Sequence, residues 1–274
     1  MVKAHKMQKN SEPLISLIIP AFKQEKTIQK DLQRIKKVMD ILNRPYEIIV
    51  VVDGMLDKTF QHAKKVKAKN IIVVGYRSNY GKGYAVRFGM QTARGDIVGF
   101  LDSGMDINPR GISMLLEHFL WYKADIIVGS KLHPASKVQY PLGRRVLSWG
   151  YRSLVRSLFG LKIRDTQAGL KFFKRPVLEK VLPRLIVKKY AFDIEILAVA
   201  HYLGYTRIYE GPIELDFTGM SSIATKGFWQ TISSMLWDTC AVYYRLKILR
   251  YYDDKYNRRK KYDKDLGFAI NVLK

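Results

Sequence analysis

The chain has 274 residues and 47% hydrophobic content, enough to bury a sizeable core, and 48 Lys+Arg against 24 Asp+Glu give it a net charge of +24. A single cysteine, Cys240, excludes an intrachain disulfide, no spaced Cys/His set suggests a zinc site, and no apolar run is long enough to span a bilayer. So large a basic excess draws in polyanions: nucleic acid, anionic lipid or phosphorylated substrates.

The opening MVKAHKMQKNSEP (1–13) is a basic, polar extension, and the apolar run after it is too short for a signal peptide. With one cysteine, the expectation is a protein of the reducing cytoplasm. Five β-branched runs follow: ISLIIP (15–20), EIIVVV (47–52), IIVVGY (71–76), DIVGFL (96–101) and DIIVG (125–129). They read as buried, largely parallel strands. Ile28, Leu32, Ile35, Met39 and Leu42 recur at helical spacing between the first two, and 81–93 and 109–123 repeat the pattern. The fold class is therefore α/β, a mostly parallel central sheet flanked by helices.

Ligands of such sheets collect beyond the carboxyl ends of the strands. Strand one ends in Pro20-Ala21-Phe22-Lys23-Gln24-Glu25, strand two in Asp53-Gly54, strand three near Asn79-Tyr80-Gly81-Lys82-Gly83, and strand four in Asp102-Ser103-Gly104-Met105-Asp106. All four open onto one rim. Beyond residue 130 lie a basic segment (131–156), the phrase Asp165-Thr166-Gln167-Ala168-Gly169-Leu170-Lys171, a helix containing Phe192-Asp193-Ile194-Glu195, and a strand-like run, PIELDF (212–217). From Lys226 to Arg250 aromatic and apolar residues alternate with cations, an amphipathic pattern suited either to a membrane interface or to packing on the domain. The division expected is thus 1–13, a domain over 14–222, and a C-terminal segment over 223–274.

Aspartates at a strand end hold a divalent cation that bridges diphosphate oxygens, or they cap the next helix. Asp102 and Asp106 suit both roles. The Gly81-Lys82-Gly83 turn offers backbone N–H groups and a cation to a phosphate or ribose, or is a plain tight turn. Asp53 either receives a base or sugar or closes its turn.

Taken in order, PAFKQE, VVDG, SNYGKGYAVRFGM, FLDSGMD, GSK, RRVLSWGY and RDTQAGLK resemble glycosyltransferase family 2, and within it the dolichyl-phosphate mannose and glucose synthases. The resemblance covers about 14–222 and DTQAGLK leans toward the glucosyltransferase branch. It implies a GT-A fold, Mg2+ or Mn2+ as cofactor, a nucleotide diphosphate-sugar donor and a polyprenyl or dolichyl phosphate acceptor. It gives the nucleotide to Pro20, Ala21, Glu25 and Asp53 and the metal to Asp102 and Asp106, and the rim residues Asn79, Gly81, Lys82, Asp102 and Ser103 complete the expected donor site. Lys131, Arg144, Arg145 and Ser148 would grip the acceptor phosphate. By the same resemblance Asp165 would stand close to the reacting sugar with Lys171 nearby and the anomeric carbon would invert; Asp193 joins them as a catalytic candidate.

Two departures stand out. Gly104 occupies the usual second aspartate position after strand four, and the paired aspartates after strand two are reduced to Val52-Asp53.

A lipid phosphate, with a second pKa near ~6, attacks without a strong base. A hydroxyl acceptor, as in cell-surface polysaccharide synthesis, would need one, and Asp165, Asp193 or Glu195 are the candidates. The location expected is peripheral, on the cytoplasmic face of an anionic membrane. A nucleic-acid-binding protein is the rival from another class, but no RNA-recognition, helix-turn-helix or finger pattern supports it, and no nucleic acid partner is expected.

Overall fold

The computed structural model of the chain describes residues 12–104, 107–136, 142–188, 191–215, 228–253, 260–263 and 268–271, with the side chains of 142–148, 228–232 and most of 260–271 excepted. The five apolar runs are strands β1 (Ile15–Ala21), β2 (Tyr46–Asp53), β3 (Ile71–Tyr76), β4 (Ile97–Leu101) and β5 (Ile126–Ser130). Except in the edge strand β3, nearly every residue of these strands is buried, which requires cover on both faces of the sheet.

Helices α1 (Ile28–Ile41), α2 (Thr59–Lys64), α3 (Lys82–Thr92) and α4 (Gly111–Trp121) supply that cover after β1 to β4. In α1 the expected stripe is real: Ile28, Leu32, Ile35 and Met39 are fully buried, each stabilising the fold by about 1.5–3 kcal/mol. Leu42, the stripe's last member, is the C-cap.

Two further strands complete the sheet, β6 (Leu170–Lys174) and β7 (Ile208–Pro212), in the order β3-β2-β1-β4-β6-β5-β7. The first four strands are parallel, whereas β6 runs antiparallel between β4 and β5. Sequence patterning did not mark β6, because Lys171 and Lys174 flank its two phenylalanines and disguise a buried strand. The 212–217 run is also displaced. β7 begins four residues earlier and its ladder with β5 ends at Pro212, while Leu215 only bridges to Ile107. Residues 216 and 217 lie outside the described residues.

Helices α5 (Leu142–Phe159), α6 (Arg175–Val181), α7 (Phe192–Tyr202) and α8 (Phe228–Tyr243) come next, α8 continuing as a wider turn over Tyr244–Ile248. A short hairpin pairs β8 (Lys260–Asp263) with β9 (Phe268–Asn271). The amphipathic C-terminal segment divides its surface. Val242, Leu246, Tyr251 and Tyr252 join the hydrophobic core, while Trp237, Tyr244 and Ile248 remain exposed.

Candidate active site

The carboxyl ends of β1, β2, β3 and β4 meet around one cavity of about 450 Å³. Of the residues the sequence assigned to the donor, Pro20, Ala21, Asp53, Asn79, Gly81, Lys82, Asp102 and Ser103 line it. Glu25 does not. Its carboxylate instead accepts from the Lys58 amide at 3.1 Å, at the start of α2. Phe22, Gln24, Ala85 and Gly104 line the cavity as well and extend the expected set. Their signal in the sequence is position alone, directly beyond a strand or one turn into the next helix.

Asp53 is buried and holds the β3–α3 turn. It accepts from Asn79 Nδ2 at 3.0 Å, from the Tyr80 amide at 2.8 Å and from the Gly81 amide at 2.9 Å. Gly81, with φ +100°, makes the turn that brings the Tyr80 and Gly81 amides onto Asp53, a conformation other residues rarely adopt. Three of a carboxylate's roughly four acceptor positions are thereby taken.

Lys82, the first residue of α3, reaches across the cavity floor. Its ammonium lies 2.8 Å from Oδ2 of Asp102 and 3.1 Å from Oδ2 of Asp193. The other Asp193 oxygen pairs with Lys171, whose ammonium also donates to the Ala168 carbonyl at 2.6 Å. Asp102, Lys82, Asp193 and Lys171 thus form a neutral row of alternating charge, with the Phe100 ring 5.3 Å from one ammonium and 5.2 Å from the other.

Burial opposes ionisation in this row and the pairing resists it. Burial acts to raise the Asp193 carboxyl, yet Lys171 and Lys82 outweigh it and hold it below the usual carboxylate range. Burial likewise acts to lower Lys82, and Asp102 with Asp193 keep it charged. For Lys171 burial prevails over Asp193 and the ammonium sits below its ordinary value.

Asp165 lies outside the cavity lining, beyond β5. Its two oxygens accept from the Lys131 amide at 3.0 Å and the Gln167 amide at 3.1 Å, so it shapes the loop before β6. Glu195 is fully buried and accepts from the Ile186 and Val187 amides and from the Tyr252 hydroxyl. Lys131 stands partly buried at the end of β5. Asp106 lies outside the described residues, as do the side chains of Arg144, Arg145 and Ser148 on α5.

Among the described residues no cluster of three metal-ligating side chains occurs. Oδ1 of Asp102 is nevertheless buried without a hydrogen-bond partner. A buried carboxylate oxygen at a strand end fits a magnesium-like ion, which takes one or two protein carboxylates and completes its shell with phosphate and water.

Residues 16–182 match the family model described as Glycosyl transferase family 2. The chain belongs to that family. It is 32% identical over 205 residues to the dolichyl-phosphate beta-glucosyltransferase of Drosophila melanogaster, a match covering 69% of this chain and 63% of that protein. The chain therefore spans a little under two thirds of that relative's length. Among solved structures it is similar to mannosyl-3-phosphoglycerate synthase from Rubrobacter xylanophilus, with TM-score 0.67 at 16% identity, covering 86% of this chain and 75% of the other. It is similar too to glucosyl-3-phosphoglycerate synthase from Mycobacterium tuberculosis in complex with Mn2+, uridine diphosphate and phosphoglyceric acid, with TM-score 0.62 at 20% identity, covering 91% and 82%. The expected GT-A fold is the fold of this family 2 glycosyltransferase, and no described helix is long and apolar enough to cross a membrane.

Proposed function

We propose that the protein transfers a hexose from a nucleotide diphosphate-sugar to a polyprenyl phosphate. The observation that carries the choice of acceptor is the state of the carboxylates. Asp165, Asp193 and Glu195, the candidate bases for a hydroxyl acceptor, are all engaged by donors. A carboxylate held below its usual range, as Asp193 is, makes a poor proton acceptor. An ionised phosphate brings its own nucleophile and needs none of them. The name of the Drosophila relative, a dolichyl-phosphate glucosyltransferase, supports the same reading.

The donor occupies the cavity, with its nucleoside at Pro20, Ala21 and the Asp53-held turn and its diphosphate toward Lys82, Asp102 and Ser103. Asp102 Oδ1 would hold Mg2+ or Mn2+, which supplies charge neutralisation for the departing diphosphate. Asp193 and Lys171 keep Lys82 in place, and Asp165 fixes the loop that faces the sugar. Lys131, Arg144, Arg145 and Ser148 receive the acceptor phosphate, whose attack proceeds opposite the leaving group and inverts the anomeric carbon. Exposed Trp237 and Tyr244 favour the headgroup level of a membrane, and the net charge of +24 favours an anionic one, so we place the protein peripherally on the cytoplasmic face.

The test compares polyprenyl phosphate with the corresponding polyprenol as acceptor for a panel of UDP- and GDP-hexoses. Product from the phosphate alone is the expected result. Product from the alcohol at a comparable rate would transfer the reading to a hydroxyl acceptor.

A further inference from the structure

Helix α5 carries Arg144, Arg145 and Ser148 in its first half, and its second half is sunk in the core through Val155 and Phe159. Trp149, directly after Ser148, is exposed. Among the described side chains Tyr151 is therefore the anchor nearest to those residues. Its hydroxyl lies 3.0 Å from Oγ1 of Thr239, on α8.

The direction of that bond follows from the helix. Thr239 is fully buried and gives its one hydroxyl proton to the Met235 carbonyl at 2.7 Å, so Tyr151 is the donor to Thr239. Burial pushes the Tyr151 phenol up to about 12, and the hydroxyl keeps its proton throughout the neutral range. Asp193 and Gln167 also stand near enough to act on the phenol. Tyr151 thus sits where α5 meets the start of α7 and the loop before β6, against α8.

α8 and its continuation have two faces. Thr239, Val242 and Leu246 recur at helical spacing and are buried, and the Tyr243 ring meets the Phe159 ring of α5 with centroids 6.2 Å apart. Trp237 and Tyr244 are exposed. The helix that carries the proposed membrane contacts therefore also grips α5.

We propose that Tyr151, held by Thr239, is a positioning residue for the acceptor: it fixes α5 so that affinity for the polyprenyl phosphate, and not for the nucleotide-sugar, depends on the C-terminal segment. The proposal rests on the acceptor reading given above. Neither Tyr151 nor Thr239 lines the donor cavity, so the donor is spared when their bond is lost. Both hydroxyls are needed. Tyr151→Phe leaves the buried Thr239 oxygen without its donor, and Thr239→Val leaves the Tyr151 hydroxyl without its acceptor.

Transfer from UDP- and GDP-hexoses to polyprenyl phosphate, with the KM of each substrate measured separately on the full chain, tests this together with calorimetric binding of UDP and GDP. Tyr151→Phe and Thr239→Val should each raise the KM for polyprenyl phosphate by about tenfold, short of the roughly hundredfold cost of a 1 Å misplacement at a reacting centre, with nucleoside diphosphate affinity held within about twofold. Thr239→Ser, which keeps the hydroxyl, should restore the wild-type KM, and the double variant should be no worse than the poorer single one. Should Thr239→Val not fold, Tyr151→Phe, which keeps the ring, decides alone. An unchanged acceptor KM would overturn the proposal, and so would an equal loss of diphosphate affinity, the mark of a purely structural role. A wild type that binds a nucleoside diphosphate but transfers nothing to polyprenyl phosphate would overturn the acceptor reading itself, and this proposal with it.

Discussion

A β-carbon on Gly169 would stand 2.2 Å from Oδ2 of Asp102, the oxygen that receives Lys82. The two backbones are also bonded, the Asp102 amide donating to the Gly169 carbonyl at 2.8 Å. Gly169 thus makes room for the carboxylate at the end of β4, and the DTQAGLK phrase serves the cavity from an element that does not line it.

Gly169→Ala should therefore displace Asp102 more than it unfolds the protein. We expect a stability loss of about 1–3 kcal/mol by denaturant unfolding. Activity should fall by about a hundredfold, the scale of a misplacement of about 1 Å at a reacting centre. Unchanged turnover would mean that Asp102 tolerates another position.

The pair Lys171 and Asp193 is buried on both sides, so removing one charge strands the other. Asp193→Asn or Lys171→Met alone should cost about 3–5 kcal/mol, and the double variant should be closer to the wild type than either single one. Urea denaturation of all four proteins closes the cycle. Additive losses would contradict the pairing.

The same carboxylate sets an acid limb. Because Asp193 is held below its ordinary value of 3.8, its contribution is fully present above that pH and is lost as pH falls through the lower folded value. Glu195 works in the opposite sense: burial raises its carboxyl, so its contribution declines as pH rises above 4.5. Stability of wild type minus Asp193→Asn, followed downward from pH 5, should therefore shrink below about 3.8. A difference constant with pH would show that Asp193 is not held ionised.

Tyr252 is fully buried and donates its hydroxyl to Glu195 at 2.7 Å, fastening the C-terminal segment to α7. Tyr252→Phe should cost about 1–3 kcal/mol, the range for depriving a buried acceptor of its donor. Hydrogen exchange at the Ile186 and Val187 amides, which share Glu195, should quicken with it. Unaltered exchange there would uncouple the segment from the loop.

Much of this arrangement was legible in the sequence. The first five strands carry unbroken β-branched runs, and a parallel sheet places the residues just beyond each run on one rim, so eight of the nine expected donor residues line the cavity. Glu25 breaks the pattern because it turns toward the nearby start of α2, a contact that periodicity does not encode. β6 was hidden because its buried lysine, Lys171, is neutralised by Asp193, 22 residues later in the chain. The engagement of Asp165 and Asp193 was equally out of reach. Their residue types suit a base, and only the fold shows which donors hold them.

Transfer of radiolabelled hexose from UDP- and GDP-sugars into organic-extractable polyprenyl phosphate, with the wild type and Asp102→Ala compared in manganese, decides whether this cavity performs the proposed reaction. Label is expected in the lipid phase with one donor and is expected to be lost in the variant. Label in the lipid at the wild-type rate with Asp102→Ala would contradict the proposed reaction, as would a folded wild type that neither transfers nor hydrolyses any donor.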